Sequence, residues 1–459
     1  GTSPMVMLYW DSANNRPAAN NPWFNPIAKH EYNVGFDFNH ESPDTKYLVS
    51  RVVKHWIEDY KIDGYRFDLS KGFTQKNTLG NVTAWGQYDA TRIAIWKQIS
   101  DTIWSVKPNA YVILEHFADN SEEKELASYG MMLWGNSNTN FAEAAKGSSS
   151  NTNFSWASYK TRGWSEPNLI SYMESHDEER IMYRILKEGN FSNPYYNLRD
   201  TTNALERMQL ASVFLLSIPG PKMIWQFGEL GYDYSIDFNG RTGEKPIRWD
   251  YQNDYRRNTL YNIVSEMLKL RKEHNAFRTN NFTLDVSGYM KKIILNHSDM
   301  SAVLLGNFNV SEGNIVPGFP ENGKWYEYFT GDSITVTAGT DPITLQAGEY
   351  RLYTNSRLTK PETGLGIEEN KAAENEILGR AYPNPSGSTF TIPVNVHHQM
   401  NTSLLIYDIT GRHISTLYNG NLMPGLHEFT WSSSTNKPGI YILKMISDKK
   451  TESEILICR

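Results

Sequence analysis

A chain of 459 residues with 39% hydrophobic and 21% charged residues has the balance of an ordinary globular protein and the length for two to four domains. Its 45 basic and 51 acidic side chains give a net charge of −6, without the basic excess expected of a nucleic-acid binder. One cysteine, Cys458, excludes an internal disulfide and a CxxC metal site, and the nearest approach to a membrane span, Met208 to Trp225, is broken by Ser217, Pro219, Gly220, Pro221 and Lys222.

The opening Gly1-Thr2-Ser3-Pro4 has neither a charged n-region nor an apolar h-region, and reads as the interior of a longer sequence. Ser42-Pro43-Asp44 predicts a helix start, with Ser42 as N-cap and Pro43 at the first helical position. Leu48, Val52 and Trp56 then recur at helical spacing up to Tyr60. A short strand follows at 62–68, a second helix from about Tyr88 to Val106, and a strand at 111–115. Further strands are expected at 131–134, 169–174 and 222–227, and a helix carrying Leu260, Ile263, Val264, Met267 and Leu270 closes the region. Strands alternating with helices predict an α/β fold with a parallel sheet: five strands of a (β/α)8 TIM barrel that lacks its first three. Unpaired sheet edges in such a chain predict instability or aggregation.

From Phe282 the pattern turns to short strands between Gly, Asn and Pro, at 286–289, 293–295, 302–308, 325–329, 333–337 and 350–353, the signature of an all-β sandwich. A charged stretch reads as a linker, and a second small β-sandwich with strands at 404–407, 427–431 and 440–446 ends the chain. The expected domains are a partial barrel at 1–281, a sandwich at 282–355, a linker at 356–377 and a terminal β module at 378–459.

In a barrel of this kind, functional side chains cluster at the C-terminal ends of the strands. Asp68 ends one strand, Glu115 the next, and His176-Asp177 follows a third. Two carboxyl groups flanking a scissile bond are what glycoside hydrolysis requires. Arg66, two residues before Asp68, shares its side of the strand and would hold that carboxylate ionised. Taken singly, each acid is more often a helix cap or surface charge. Thirteen Trp, 27 Tyr and 19 Phe suit a sugar ligand, and Trp23 and Trp225 are candidate platforms, though each fits a core position equally well. Asp11, Asp37, Asp44, Asp89 and Asp119 could ligate a metal, but none has a dense D-x-D-x-D spacing and the surface-charge reading is favoured.

Together these segments resemble the α-amylase family of glycoside hydrolases. Gly64-Tyr65-Arg66-Phe67-Asp68-Leu69-Ser70-Lys71 is similar to the family's second motif, Leu114-Glu115-His116 stands where the family has its acid/base, and Tyr172-Met173-Glu174-Ser175-His176-Asp177 resembles its fourth. Pro219 to Glu229 is similar to the last barrel strand. The resemblance implies Asp68 as nucleophile, Glu115 as acid/base, Asp177 as transition-state stabiliser, and Arg66, His176, Lys71 and His116 as substrate-binding residues. It implies retaining cleavage of α-glucosidic bonds in a starch-type glucan. A surface glycan-binding protein on an amylase scaffold and an α-glucan transglycosidase are the alternatives. The Asn-His motif of the third barrel strand is absent, and the usual Lys-His of the second motif is Lys71-Gly72. Both departures weaken the expectation of calcium (Ca2+), the one cofactor the resemblance allows. At the other end, Ala381-Tyr382-Pro383-Asn384-Pro385, Leu405-Ile406-Tyr407-Asp408-Ile409-Thr410-Gly411-Arg412 and Lys437-Pro438-Gly439-Ile440-Tyr441 resemble the C-terminal sorting domain of the type IX secretion system. That resemblance implies the secretion machinery as partner, and a place outside or on the outer membrane of a Bacteroidetes-type bacterium.

Overall fold

The computed structural model describes residues 4–33, 35–363, 377–379, 381–387, 389–396, 399–432, 438–447 and 450–458. The chain divides into two compact units, Gly1–Gly364 and Leu365–Arg459. Most of the linker expected at 356–377 lies outside the described residues.

In the first unit, Gly64–Phe67, Tyr111–Leu114, Met132–Asn136 and Leu169–Tyr172 form a four-stranded parallel sheet in chain order. Helices Ala90–Val106, Asn120–Tyr129, Asn138–Ala145 and Ile181–Glu188 follow the four strands in turn. This is the strand-loop-helix repeat of a partial (β/α)8 barrel. Parallel strands need such crossovers, and each crossover leaves a loop at the C-terminal end of its strand. The helices begin where the sequence supplies caps. Ser42 accepts from Asp44 N, Asp89 from Thr91 N and Arg92 N, and Asp119 from Ser121 N.

Three expectations are corrected. The fifth strand, at 222–227, is reduced to one parallel bridge between Ser171 and Lys222. Pro219 and Pro221 have no backbone N–H to give a ladder, and the bridge bonds, Ser171 N to Pro221 O and Met223 N to Ser171 O, are both 3.3 Å long. Helix Pro43–Glu58 buries Thr45, Val53 and Ile57, while Val52 and Trp56 are each 44% exposed. Val53 and Ile57 are themselves four apart, one residue round from the expected stripe, and they face inward instead. The first strand of the all-β region is Phe282–Asp285 rather than 286–289, and the intervening Ser287-Gly288 makes the turn into Met290–Leu295.

That region is a sandwich of a six-stranded antiparallel sheet and the pair Gly313–Ile315 and Ile343–Leu345. Val303, Leu305, Ile315, Trp325, Leu345 and Tyr353 fill the space between. It packs on the Thr201–Ser217 helix so closely that a Cβ at Gly306 would lie 2.4 Å from Phe214 Cε2. Lys291, fully buried, extends its ammonium to Thr152 O at 2.9 Å and Val286 O at 2.6 Å, with the rings of Phe154 and Phe308 at 5.0 and 5.4 Å.

The second unit is also a sandwich. Thr389–Val396 pairs with Gly425–Ser432, and the facing sheet runs His413–Leu422, Met400–Asp408, Gly439–Ser447, Thr451–Cys458. Phe390, Ile392, Val394, Leu404, Ile406, Leu443, Met445 and Leu456 form its core. Cys458 is buried there, opposite Gly439 on an edge strand. Glu452 on that strand accepts from Ile377 N and Leu378 N, and Glu454 from Ala381 N, which pins the incoming segment. In the 408–412 turn, hydrogen bonds led by that from Thr410 hold the Asp408 carboxyl down to about 2.

Candidate active site

Three of the four strands lead to acidic side chains at one end of the sheet: Asp68 after Gly64–Phe67, Glu115 after Tyr111–Leu114 and Asp177 beyond Leu169–Tyr172. Arg66, on the Gly64–Phe67 strand, donates from Nη1 to Asp68 Oδ1 at 2.6 Å, and its Nη2 lies 2.8 Å from Glu115 Oε1. One guanidinium thus spans both carboxylates, and it stacks over the Trp134 ring at 4.3 Å. Asp68, Glu115 and His176 each place a ligand atom within 4.8 Å of the others. His176 Nε2 lies 3.4 Å from Asp177 Oδ2, and Arg241 donates to Asp177 O at 2.6 Å.

The two carboxylates occupy different surroundings. The Asp68 side chain is 77% exposed and that of Glu115 only 8%. Leu69, held in the left-handed region at φ 42°, turns its N–H onto Glu115 Oε2 at 3.0 Å. Burial nevertheless raises the Glu115 carboxyl above its ordinary value, overcoming the Leu69 N–H and the Arg66 charge, which favour the anion. An exposed acid beside a buried one whose proton is held more tightly is an arrangement that a nucleophile and a general acid could use.

Lys71 is half-buried, with Nζ donating to Phe117 O at 3.1 Å and lying over the Trp85 ring; burial, then Arg92, lowers its ammonium. Trp225 borders His176, with ring centroids 5.8 Å apart, whereas Trp23 packs edge-on against Tyr9 away from these residues. His116 does not reach the cleft, contrary to the sugar-binding role expected of it. It is buried beneath the cleft with Nδ1 2.9 Å from Ser70 Oγ and Nε2 2.7 Å from Glu122 Oε1, so neither ring nitrogen is left for a sugar. Ser70 Oγ in turn donates to Glu115 O at 2.8 Å. His116 supports the strand end from below.

Trp134, Arg241 and Glu178 join the site without having been singled out. Glu178 accepts from Asn136 Nδ2 and Ser175 Oγ, and burial raises its carboxyl. Trp134 and Asn136 stand at the end of a barrel strand, a position that could have marked them. Arg241 lies in a loop with no periodicity to read. Glu174, fully buried, accepts from Ile181 N at 2.7 Å and is pushed up to about 7 by burial.

Among the described residues, one group of three or more His, Cys, Asp or Glu is arranged to hold a metal: Asp68, Glu115 and His176. Arg66 already bridges its two carboxyl groups and it includes a nitrogen, a poor match to the all-oxygen shell calcium prefers. The five scattered aspartates have other work. Asp89 and Asp119 cap helices, and Asp44 lies in a helical first turn. Asp11 closes a turn on Ala13 and Asn14, and Asp37 accepts from Asn25 and Lys29. These residues do not fit a calcium site.

Comparison with known proteins gives a match to the α-amylase catalytic domain over residues 28–258 and to a secretion-system C-terminal sorting domain over residues 380–459. A cyclomaltodextrinase of Geobacillus thermopakistaniensis is 20% identical over 321 residues, 69% of this chain and 48% of that protein. The α-amylase of Geobacillus thermoleovorans, solved with acarbose, aligns at a TM-score of 0.53 and 18% identity over 74% of this chain and 75% of its own. The type III pullulan hydrolase of Thermococcus kodakarensis aligns at 0.55 and 17% over 76% and 57%. At these identities the structural likeness speaks for the fold alone, and the chain spans less than half the length of the curated relatives it matches. No helix among the described residues is long and apolar enough to cross a membrane. The catalytic-domain match covers half the chain, and the chain belongs to the α-amylase family of glycoside hydrolases, with a sorting domain for export at its C-terminus.

Proposed function

We propose that the protein hydrolyses α-glucosidic bonds of starch-type α-glucans with retention of configuration. The observation that carries this reading is Arg66 bridging an exposed Asp68 and a buried Glu115 whose carboxyl burial raises. In the first step an Asp68 oxygen attacks the anomeric carbon, the bond from that carbon to the leaving oxygen breaks, and Glu115 gives its proton to that oxygen. In the second, the Glu115 carboxylate takes a proton from water, the water oxygen bonds the anomeric carbon, and Asp68 leaves as a carboxylate. Ligand atoms within 4.8 Å suit a retaining pair, whose carboxyl groups stand roughly 5–5.5 Å apart, better than an inverting one, which needs room for water between them. Asp177 stabilises the positive charge that develops at the sugar, and His176 binds hydroxyls.

The sorting domain supports export by type IX secretion to the surface of a Bacteroidetes-type bacterium, a setting that suits a polymer too large to import. The division we adopt is a catalytic domain at 1–281, a sandwich at 282–355, a linker at 356–377 and the sorting module at 378–459.

Proton NMR of maltoheptaose with the protein tests the reaction. New α-anomers should appear first and vanish in Glu115→Gln. First-formed β-anomers would sink the retaining mechanism, and binding without turnover in the unaltered chain would point to a glycan-binding role.

A further inference from the structure

Gly72, where the second motif usually has histidine, is not empty space. A Cβ there would lie 2.8 Å from Nε2 and 3.0 Å from Cε1 of His30, a residue 42 positions earlier in the chain. That imidazole is buried and fixed, with Nδ1 2.6 Å from Glu31 O and Nε2 3.6 Å from Asp37 Oδ1. It lies flat on Trp85, with ring centroids 4.8 Å apart and planes 2° from parallel. Trp85 is itself buried, and its indole N–H donates to Lys71 O at 3.0 Å, where Arg92 Nη1 also donates at 3.1 Å. The Lys71 ammonium lies 4.3 Å from the centroid of the same ring and donates to Phe117 O, two residues beyond Glu115.

The contacts therefore run in one line: His30 fixes the Trp85 plane, Trp85 fixes both ends of Lys71, and Lys71 ties down the loop after Glu115. We infer that His30 is a positioning residue for sugar binding, acting through Trp85 to aim the Lys71 ammonium into the cleft, and that Gly72 is glycine because the His30 ring occupies the space beside it. The inference rests on the reading of Lys71 as a sugar contact. His30 itself is too buried to touch a glucan.

Steady-state kinetics on maltoheptaose with His30→Asn, Gly72→Ala, Lys71→Ala and the double variant His30→Asn/Lys71→Ala test it. His30→Asn removes the stacked face, and Gly72→Ala pushes a methyl into the ring from the other side. Both should raise KM roughly 5–10-fold with kcat held within about 2-fold, the signature of lost binding rather than lost chemistry. The double variant should be no worse than Lys71→Ala, because both act on one contact. Unchanged KM in His30→Asn and Gly72→Ala beside a raised KM in Lys71→Ala would overturn the role of His30 alone, as would effects that multiply in the double variant. An unchanged KM in Lys71→Ala would overturn the sugar contact and the inference with it. If His30→Asn fails to fold, Gly72→Ala carries the comparison.

Discussion

Glu122 is the anchor beneath the site, and Glu122→Gln is the sharpest test of what holds that site in place. Its two oxygens take four partners: Arg92 Nε at 2.6 Å and Nη2 at 2.7 Å, Asp89 N at 2.8 Å and His116 Nε2 at 2.7 Å. The Glu122 and Arg92 side chains are 0% and 1% exposed. Burial opposes the charge on Glu122, but hydrogen bonds led by His116 and Arg92 outweigh it and lower the carboxyl. Glutamine has the same shape with one acceptor oxygen instead of two, and its NH2 group would face donors. The guanidinium of Arg92 would then be a buried charge without its hydrogen-bonded carboxylate partner. Breaking a buried pair from one side costs about 3–5 kcal/mol. At about 2 °C per kcal/mol for a unit of this size, the catalytic-unit transition should fall by roughly 6–10 °C. Calorimetry reads the shift, and the cycle with Arg92→Met should give a coupling on the order of 2–3 kcal/mol. A loss below about 1 kcal/mol, or additive single effects, would refute the view that this pair is held by mutual neutralisation.

Two further outcomes follow from groups whose burial opposes their charge. Glu115 must be protonated to act as acid, so the alkaline limb of the kcat/KM profile should follow its raised carboxyl; Arg66→Met, which removes a charge favouring the anion, should move that limb to higher pH. A limb that stays or moves down would contradict the assignment. Burial lowers Lys291 to about 7, so between there and its ordinary value near 10.5 the unfolded chain binds the extra proton and stability rises with pH. Urea unfolding of Lys291→Met should lack that rise, and equal slopes in the two proteins would refute it.

The strand ends were the most readable part of the sequence. Asp68, Glu115 and His176-Asp177 follow apolar runs short enough to be strands, and a parallel sheet has only one end where such residues can gather. The orientation of single helices was less readable. Leu48, Val52 and Trp56 made the more conspicuous stripe, yet Val53 and Ile57 share the same four-residue step and are the pair the helix buries. His116 shows a related limit. Next to Glu115 in sequence but just past the end of the Tyr111–Leu114 strand, it turns away from the cleft, and its partner Glu122 sits in the helix that follows. The link from His30 to Lys71 had no sequence signal, since it joins residues 41 apart through the face of Trp85.

Cys458 lies on the outermost strand of the sorting module, opposite Gly439 and buried in its core. As the chain's only thiol, it can react with an aqueous reagent only when that strand lifts away. Its labelling rate is therefore a clock for the opening of the terminal sheet.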